Sequence, residues 1–223
     1  RGLNGQIGQS KSTVKSIDNK DKFSDTYPLI TKVDEKSSEL IPIGMSSSDR
    51  AMDVNVMHGG LKELKSFLLD GGNALVIRNT VSRAQSTYEE LKNDPFFKDW
   101  ELRLIHARFV STDRKDKEDG LRASYGKDAN VHNGTRPRRS ITVATQVVEQ
   151  SLDVDFDILM TDVCPMDLLL QRMGRMHRHD THDVSRPATL QQPKVIIDGW
   201  SLKDGKINMN MGSQMVYGAS KLL

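Results

Sequence analysis

Cysteine is nearly absent: the 223 residues hold one, Cys164. A lone thiol excludes a disulfide within the chain and any multi-cysteine metal knuckle, and it fits a reducing compartment. Aromatic side chains are scarce too, at two Trp, four Tyr and six Phe, so stacking on many bases is not the expected way of holding a nucleic acid. No apolar run approaches the roughly 20 residues that a membrane helix needs; a cytoplasmic protein without membrane contact is the expectation. An excess of one charge is also missing, since 32 basic against 30 acidic residues leave a formal net charge of +2. Such a balance neither demands nor forbids a nucleic-acid partner, because phosphate binding depends on local clustering.

What is present is a globular composition, 36% hydrophobic and 28% charged, distributed unevenly along the chain. The sequence opens on Arg1 rather than a methionine, and its large apolar residues up to Asp25 are only Leu3, Ile7, Val14, Ile17 and Phe23. Residues 1–25 are expected to form a linker or tail, as at the boundary of a piece cut from a longer protein. Residues 26–57 read as a β-hairpin and linker region: Tyr27 to Ile30 and Leu40 to Ile43 flank a charged stretch, and Pro28 and Pro42 favour an edge position. Residues 58–200 carry the main domain, and 201–223 the start of a following, truncated C-terminal region.

Within that domain strands and helices alternate. Leu61, Leu64 and Leu68 recur at helical spacing before Gly71 and Gly72, where a left-handed cap is expected. Ala74 to Ile77 is a short continuous apolar run, typical of a strand buried on both faces. A helix follows with Val81, Ala84, Tyr88 and Leu91 on one side, then a strand near Arg103 to Arg108 and a charged helix from about Asp113 to Tyr125. Further strands are expected at Ile141 to Ala144, Ile158 to Met160 and Lys194 to Ile197, with a helix from about Met166. This alternation predicts an α/β fold, a parallel sheet with helices on both faces. Ligands of such sheets gather at the carboxyl ends of the strands, here Asn79-Thr80, Arg108-Phe109, Thr145-Gln146 and Asp162.

Two segments carry the chemistry. In Gln171-Arg172-Met173-Gly174-Arg175-Met176-His177-Arg178, a helix running on through Gly174 would set Gln171, Arg175 and Arg178 on one face. Guanidiniums crowded beside a glutamine are costly unless an anion lies opposite, and their planar fork suits phosphate oxygens. A solvated basic helix end is the plain alternative. In Thr142 to Asp157, a buried strand ends in Thr145-Gln146, whose short polar groups can meet a phosphate or sugar, and Asp153 follows as a carboxylate able to accept from a ribose hydroxyl. A strand, a turn and a capping aspartate would account for that segment equally.

Taken together, Thr145-Gln146 followed by Gln150-Ser151-Leu152-Asp153, then Gln171-Arg172 and the two later arginines, resemble motifs five and six of superfamily-two helicases. Ala144 to Asp153, with Asn79-Thr80-Val81 and Leu104 to Phe109, is similar to the helicase-nuclease of type I CRISPR systems. The resemblance covers about Leu61 to Arg178, and more faintly the hairpin before it and Met215 to Leu223 after it. It implies the second RecA-like domain of a motor that binds ATP between two such domains and steps 3' to 5' along single-stranded DNA in CRISPR interference. By position, Arg175 and Arg178 would reach the terminal phosphates of ATP. Gln171 would lie near ATP, and Asp153 would contact ribose or sense nucleic acid. Asn79, Thr80, Arg83, Arg108, Thr145 and Gln146 would line the DNA track, gripping phosphates without reading sequence; a helix-surface residue with no partner is the alternative for Arg83. Implied partners are the first RecA-like domain and the nuclease domain of the same parent, single-stranded DNA, and the CRISPR surveillance complex. ATP and Mg2+ would be held mainly by the first domain.

The chain lacks that domain's phosphate loop and acidic box. Gly5-Gln6-Ile7-Gly8-Gln9-Ser10-Lys11-Ser12 looks like a Walker A loop, but Ser10 replaces its second glycine and no buried strand precedes it. Alone, this piece is expected to hydrolyse little or no ATP. His177, His179, Asp180, His182 and Asp183 crowd together without a chelating spacing, so no metal is assigned to them. Arg136, Arg138 and Arg139 form a basic patch that reads as solvated loop charge or a phosphate contact. Another superfamily-two DNA or RNA helicase, or a non-catalytic nucleic-acid-binding module, remains the alternative.

Overall fold

Buried apolar runs govern the architecture. The computed structural model describes residues 29–33, 38–42, 54–149, 152–203, 206–210 and 213. The tail, the Walker-like segment, Gln150-Ser151 and Met215 to Leu223 lie outside them. The chain divides into two units after Ala51. In the first, β1 (Leu29–Val33) and β2 (Ser38–Pro42) pair antiparallel, Leu29 opposite Pro42 and Val33 opposite Ser38.

The second unit is built on β3 (Asn55–His58), β4 (Gly72–Ile77), β5 (Glu101–Ile105), β6 (Arg139–Ala144), β7 (Ile158–Asp162) and β8 (Lys194–Asp198). These form one parallel sheet in the order β3-β8-β7-β4-β6-β5. Every residue of β4 and β7 is buried, as strands covered on both faces require. Alternate side chains divide between two cores. Ala74, Val76, Val143 and Met160 pack under α1 (Leu61–Phe67) and α2 (Val81–Asn93) through Leu64, Ala84 and Leu91. Leu75, Ile77, Ala144 and Leu159 meet α3 (Ser111–Tyr125) and α4 (Met166–Met173) through Leu121, Tyr125, Leu169 and Met173. This is the two-faced α/β sheet the sequence predicts. A small antiparallel pair, β9 (Trp200–Lys203) and β10 (Lys206–Met209), follows.

Gly71 and Gly72 do take left-handed φ values, +94° and +115°, and a Cβ on Gly72 would lie 2.7 Å from Leu190 Cδ1. Three boundaries differ from expectation. The sheet begins at Asn55, inside the stretch assigned to the hairpin and linker, because Val56 and Met57 pair with β8 at the sheet edge. β5 ends at Ile105, and His106 to Arg108 turn out of the sheet, closed by the Phe109 amide on the His106 carbonyl at 3.3 Å. The helix of the arginine segment stops at Met173.

At the amino end of the sheet a buried charge network joins distant segments. Asp157 Oδ1 accepts from Arg136 Nη2 at 2.8 Å and from Arg186, while Asp155 Oδ2 accepts from Arg186 Nη2 at 2.6 Å and pairs with His182 Nδ1 at 2.7 Å. Arg136 is therefore neither solvated loop charge nor a free phosphate contact: it is 2% exposed and spent on Asp155 and Asp157. Burial alone would raise the Asp155 carboxyl, but the His182 hydrogen bond, the Arg186 charge, the Arg178 amide and Arg136 together hold it well below the usual carboxylate range. A carboxyl depressed in the folded state stabilises above its unfolded value, near 4, and that contribution fades as pH falls below it. Urea midpoints should therefore drop as the solution is acidified from pH ~5 to ~3, and less steeply in Asp155→Asn, which lacks the titrating group. Parallel curves for the two proteins would contradict this.

Candidate functional site

The arginine segment leaves α4 abruptly. The Gly174 amide still reaches the Leu170 carbonyl, but those of Arg175 and Met176 bond only three residues back, and Met176 then bridges to Phe156 beside the start of β7. Gln171, Arg175 and Arg178 therefore do not share one helix face, which corrects the helical extrapolation. Burying Met176, 1% exposed against the second core, takes precedence over prolonging the helix.

The bend nevertheless gathers the two arginines at one loop. Arg175 donates from Nη1 to the Leu152 carbonyl and from Nη2 to the Glu149 carbonyl, both at 2.6 Å. Its Nε is buried with no hydrogen-bond partner among the described residues. Burial, and then the like charge of Arg178, lowers its pKa. Arg178 is exposed, with Nε 2.9 Å from Asp153 Oδ1. Arg175, Arg178 and Asp153 thus meet beside Glu149 and Leu152, and Gln171 stands exposed one helical turn earlier. Two guanidiniums brought together, one of them exposed, are a donor set suited to an anion.

The other candidates lie along the carboxyl ends of β4, β5 and β6. Thr80 caps α2 by accepting from the Arg83 amide at 3.2 Å. Gln146 Nε2 donates to the Asn79 carbonyl at 3.2 Å, and the buried Thr145 donates its amide to Ile105. Arg83 is more than a surface residue: Nε lies 2.8 Å from Asp162 Oδ1 and Nη2 2.8 Å from Asp198 Oδ2. Arg78 pairs with the same two carboxylates at 2.9 and 2.6 Å. Arg108 stands apart, exposed and without a hydrogen bond or ion pair among the described residues. It leaves the tight turn where His106 stacks on Phe109, ring centroids 4.2 Å apart, with Lys117 Nζ over the Phe109 ring. The turn therefore presents a free guanidinium from a braced base.

Arg172, which sequence reasoning passed over, links the two groups. Fully buried, it donates Nε to Glu149 Oε1 at 2.7 Å, Nη1 to the Thr161 hydroxyl at 2.6 Å and Nη2 to Asn79 Oδ1 at 3.1 Å. Asn79 Nδ2 in turn donates to the Val163 carbonyl, so both ends of that side chain are held. Burial pushes the Glu149 carboxyl up despite the Arg172 charge beside it. The available signal was its place in the Gln-Arg-x-Gly-Arg run, but that spacing says nothing about which arginine turns inward.

The histidine-rich stretch has other uses. His182 Nε2 meets the Ala129 carbonyl at 3.0 Å and its Nδ1 meets Asp155. Among the described residues no three His, Cys, Asp or Glu side chains are grouped to hold a metal, and no helix is long and apolar enough to cross a membrane.

Residues 70–181 match the family model described as CRISPR-associated nuclease/helicase Cas3, C-terminal. The CRISPR-associated nuclease/helicase Cas3 of Streptococcus thermophilus is 33% identical over 209 residues, covering 92% of this chain and 21% of that protein. The chain thus spans about one fifth of that relative's length. Among solved structures, T. fusca Cas3 with AMPPNP aligns at a TM-score of 0.72 and 28% identity, covering 87% of this chain and 24% of that one. A chain of a CRISPR RNA-guided surveillance complex, pre-nicking, aligns at 0.67 and 28% identity, covering 86% and 24%.

Proposed function

Because the chain belongs to the Cas3 nuclease/helicase family and matches its C-terminal model, we propose that it is the second RecA-like half of an ATP-dependent, 3'-to-5' single-stranded-DNA translocase in CRISPR interference. The observation that carries this is the convergence of Arg175, Arg178 and Asp153 on one loop, joined by buried Arg172 to the strand ends. In this reading Arg175 and Arg178 offer guanidinium donors to the phosphate oxygens of ATP as charge builds in the transition state. Gln171 lies beside the nucleotide, and Asp153 holds Arg178 until ATP competes for it, or takes a ribose hydroxyl. ATP supplies the phosphoryl group, with Mg2+ held by the first RecA-like domain of the parent. The nuclease domain and the CRISPR surveillance complex are its further partners, in the cytoplasm.

Asn79, Thr80, Arg83, Thr145 and Gln146 shape the floor of the DNA track, and Arg108 supplies its free charge. In the full-length protein, Arg108→Ala should weaken single-stranded DNA several-fold irrespective of sequence and reduce the salt dependence of binding by about one phosphate contact. An unchanged salt slope would remove Arg108 from the track. The whole assignment is tested by DNA-stimulated ATPase and by displacement of a roadblock from either DNA end. Stimulation by DNA with clearance of the 5' end is expected; clearance of the 3' end or stimulation by RNA alone would overturn it.

A further inference from the structure

Among the described residues one non-glycine has a positive φ: His177, at +48°, between the two arginines. L-residues avoid this region, although histidine tolerates it better than branched side chains do. The deviation is held from several sides. The His177 amide donates to the Phe156 carbonyl at 3.1 Å, while the Phe156 amide donates to Arg175 at 2.9 Å, fixing the chain before the bend. After it, the Arg178 amide donates to Asp155 Oδ1 at 3.0 Å and the His179 amide lies 3.3 Å from Asp155 Oδ2. The ring is 1% exposed and its Nε2 lies 3.0 Å from the Asp157 carbonyl. A carbonyl only accepts, so Nε2 carries the proton. Burial, and then the charge of Arg186, lowers the pKa of the ring.

These contacts make a bracket. Ahead of His177 the chain runs alongside Phe156; the left-handed residue reverses it, turns two successive amides onto Asp155 and sends the Arg178 side chain out to Asp153. With an ordinary φ at 177 the same bonds to Phe156 and Asp155 could not both be kept. We propose that His177 is a positioning residue, whose left-handed backbone, locked between Phe156 and the Asp155 carboxylate, aims Arg178 at the phosphates of ATP. The inference rests on the arginine assignment above and deepens it.

The test is a double-variant cycle in the full-length protein, reading kcat and KM for ATP with saturating single-stranded DNA. His177→Val resists a positive φ and should lower kcat by about a hundred-fold with KM changed far less, since an aimed arginine acts mainly in the transition state. His177→Gly accepts the same φ without the ring and should keep kcat within about three-fold. Adding His177→Val to Arg178→Ala should cost nothing further, because both act through one guanidinium. Multiplying losses in the double variant, or a His177→Val protein with normal kcat, would overturn the proposal. If the valine variant fails to fold, the glycine variant decides, and a more than ten-fold loss of kcat at an unchanged melting temperature counts against it. Normal kcat in Arg178→Ala alone would instead sink the arginine assignment on which the proposal stands.

Discussion

Arg178→Ala in the full-length protein should lower DNA-stimulated kcat for ATP by about a thousand-fold or more, the scale at which arginine fingers act, with little change in melting temperature. The stability half of this expectation follows from exposure. Among the described residues the Arg178 side chain pairs only with Asp153, itself exposed, and such surface pairs contribute little to folding. The neighbouring Arg175→Ala should behave differently. Its guanidinium donates to two backbone carbonyls at 2.6 Å, so its removal frees Glu149 and Leu152 as well as removing charge. Loss of activity with loss of stability is expected there, and lysine should rescue neither, since an ammonium cannot span two carbonyls as the planar fork does. Steady-state kinetics with calorimetry separates the cases. A kcat within ten-fold of normal in Arg178→Ala would end the finger assignment.

The largest effect on folding should come from Arg172→Met. Methionine fills much of the space but leaves the Glu149 carboxyl buried without its cation and strips donors from Thr161 and Asn79. Breaking a buried pair on one side typically costs about 3–5 kcal/mol. The pH dependence has a definite sign. The Glu149 carboxyl already sits above its ordinary value through burial, and losing Arg172 raises it further. A group raised in the folded state stabilises at low pH and loses that contribution as pH rises through its folded value. The destabilisation of Arg172→Met should therefore be greater at pH ~8 than at ~5, and adding Glu149→Gln should recover part of it at the higher pH. Urea denaturation at both values decides; equal losses would show that the missing charge is not the cause.

Much of the sheet was legible because its central strands are unbroken apolar runs and its glycines mark the turns. The edge strand β3 was not: Asn55 to His58 has no periodicity of its own and becomes a strand only by pairing with β8, nearly 140 residues later. The candidate site was legible as residue types in order. Its internal pairing was not, because Arg83 finds Asp162 and Asp198 79 and 115 residues away, separations at which no local pattern constrains a partner. The stop at Gly174 was likewise hidden, since the helical spacing of the arginines is real while the competing place for Met176 exists only once β7 is in position.

Two charge networks occupy opposite ends of the same sheet, the partly buried Arg78, Arg83, Asp162 and Asp198 at one and the buried Arg136, Arg186, Asp155 and Asp157 at the other. The buried apolar pattern already fixes the register of the strands, and directional bonds to shared carboxylates add to that resistance at both ends. The slab between these rivets is suited to carry mechanical load as a stiff lever. A push delivered at the arginine loop would then reach the far strand ends as displacement.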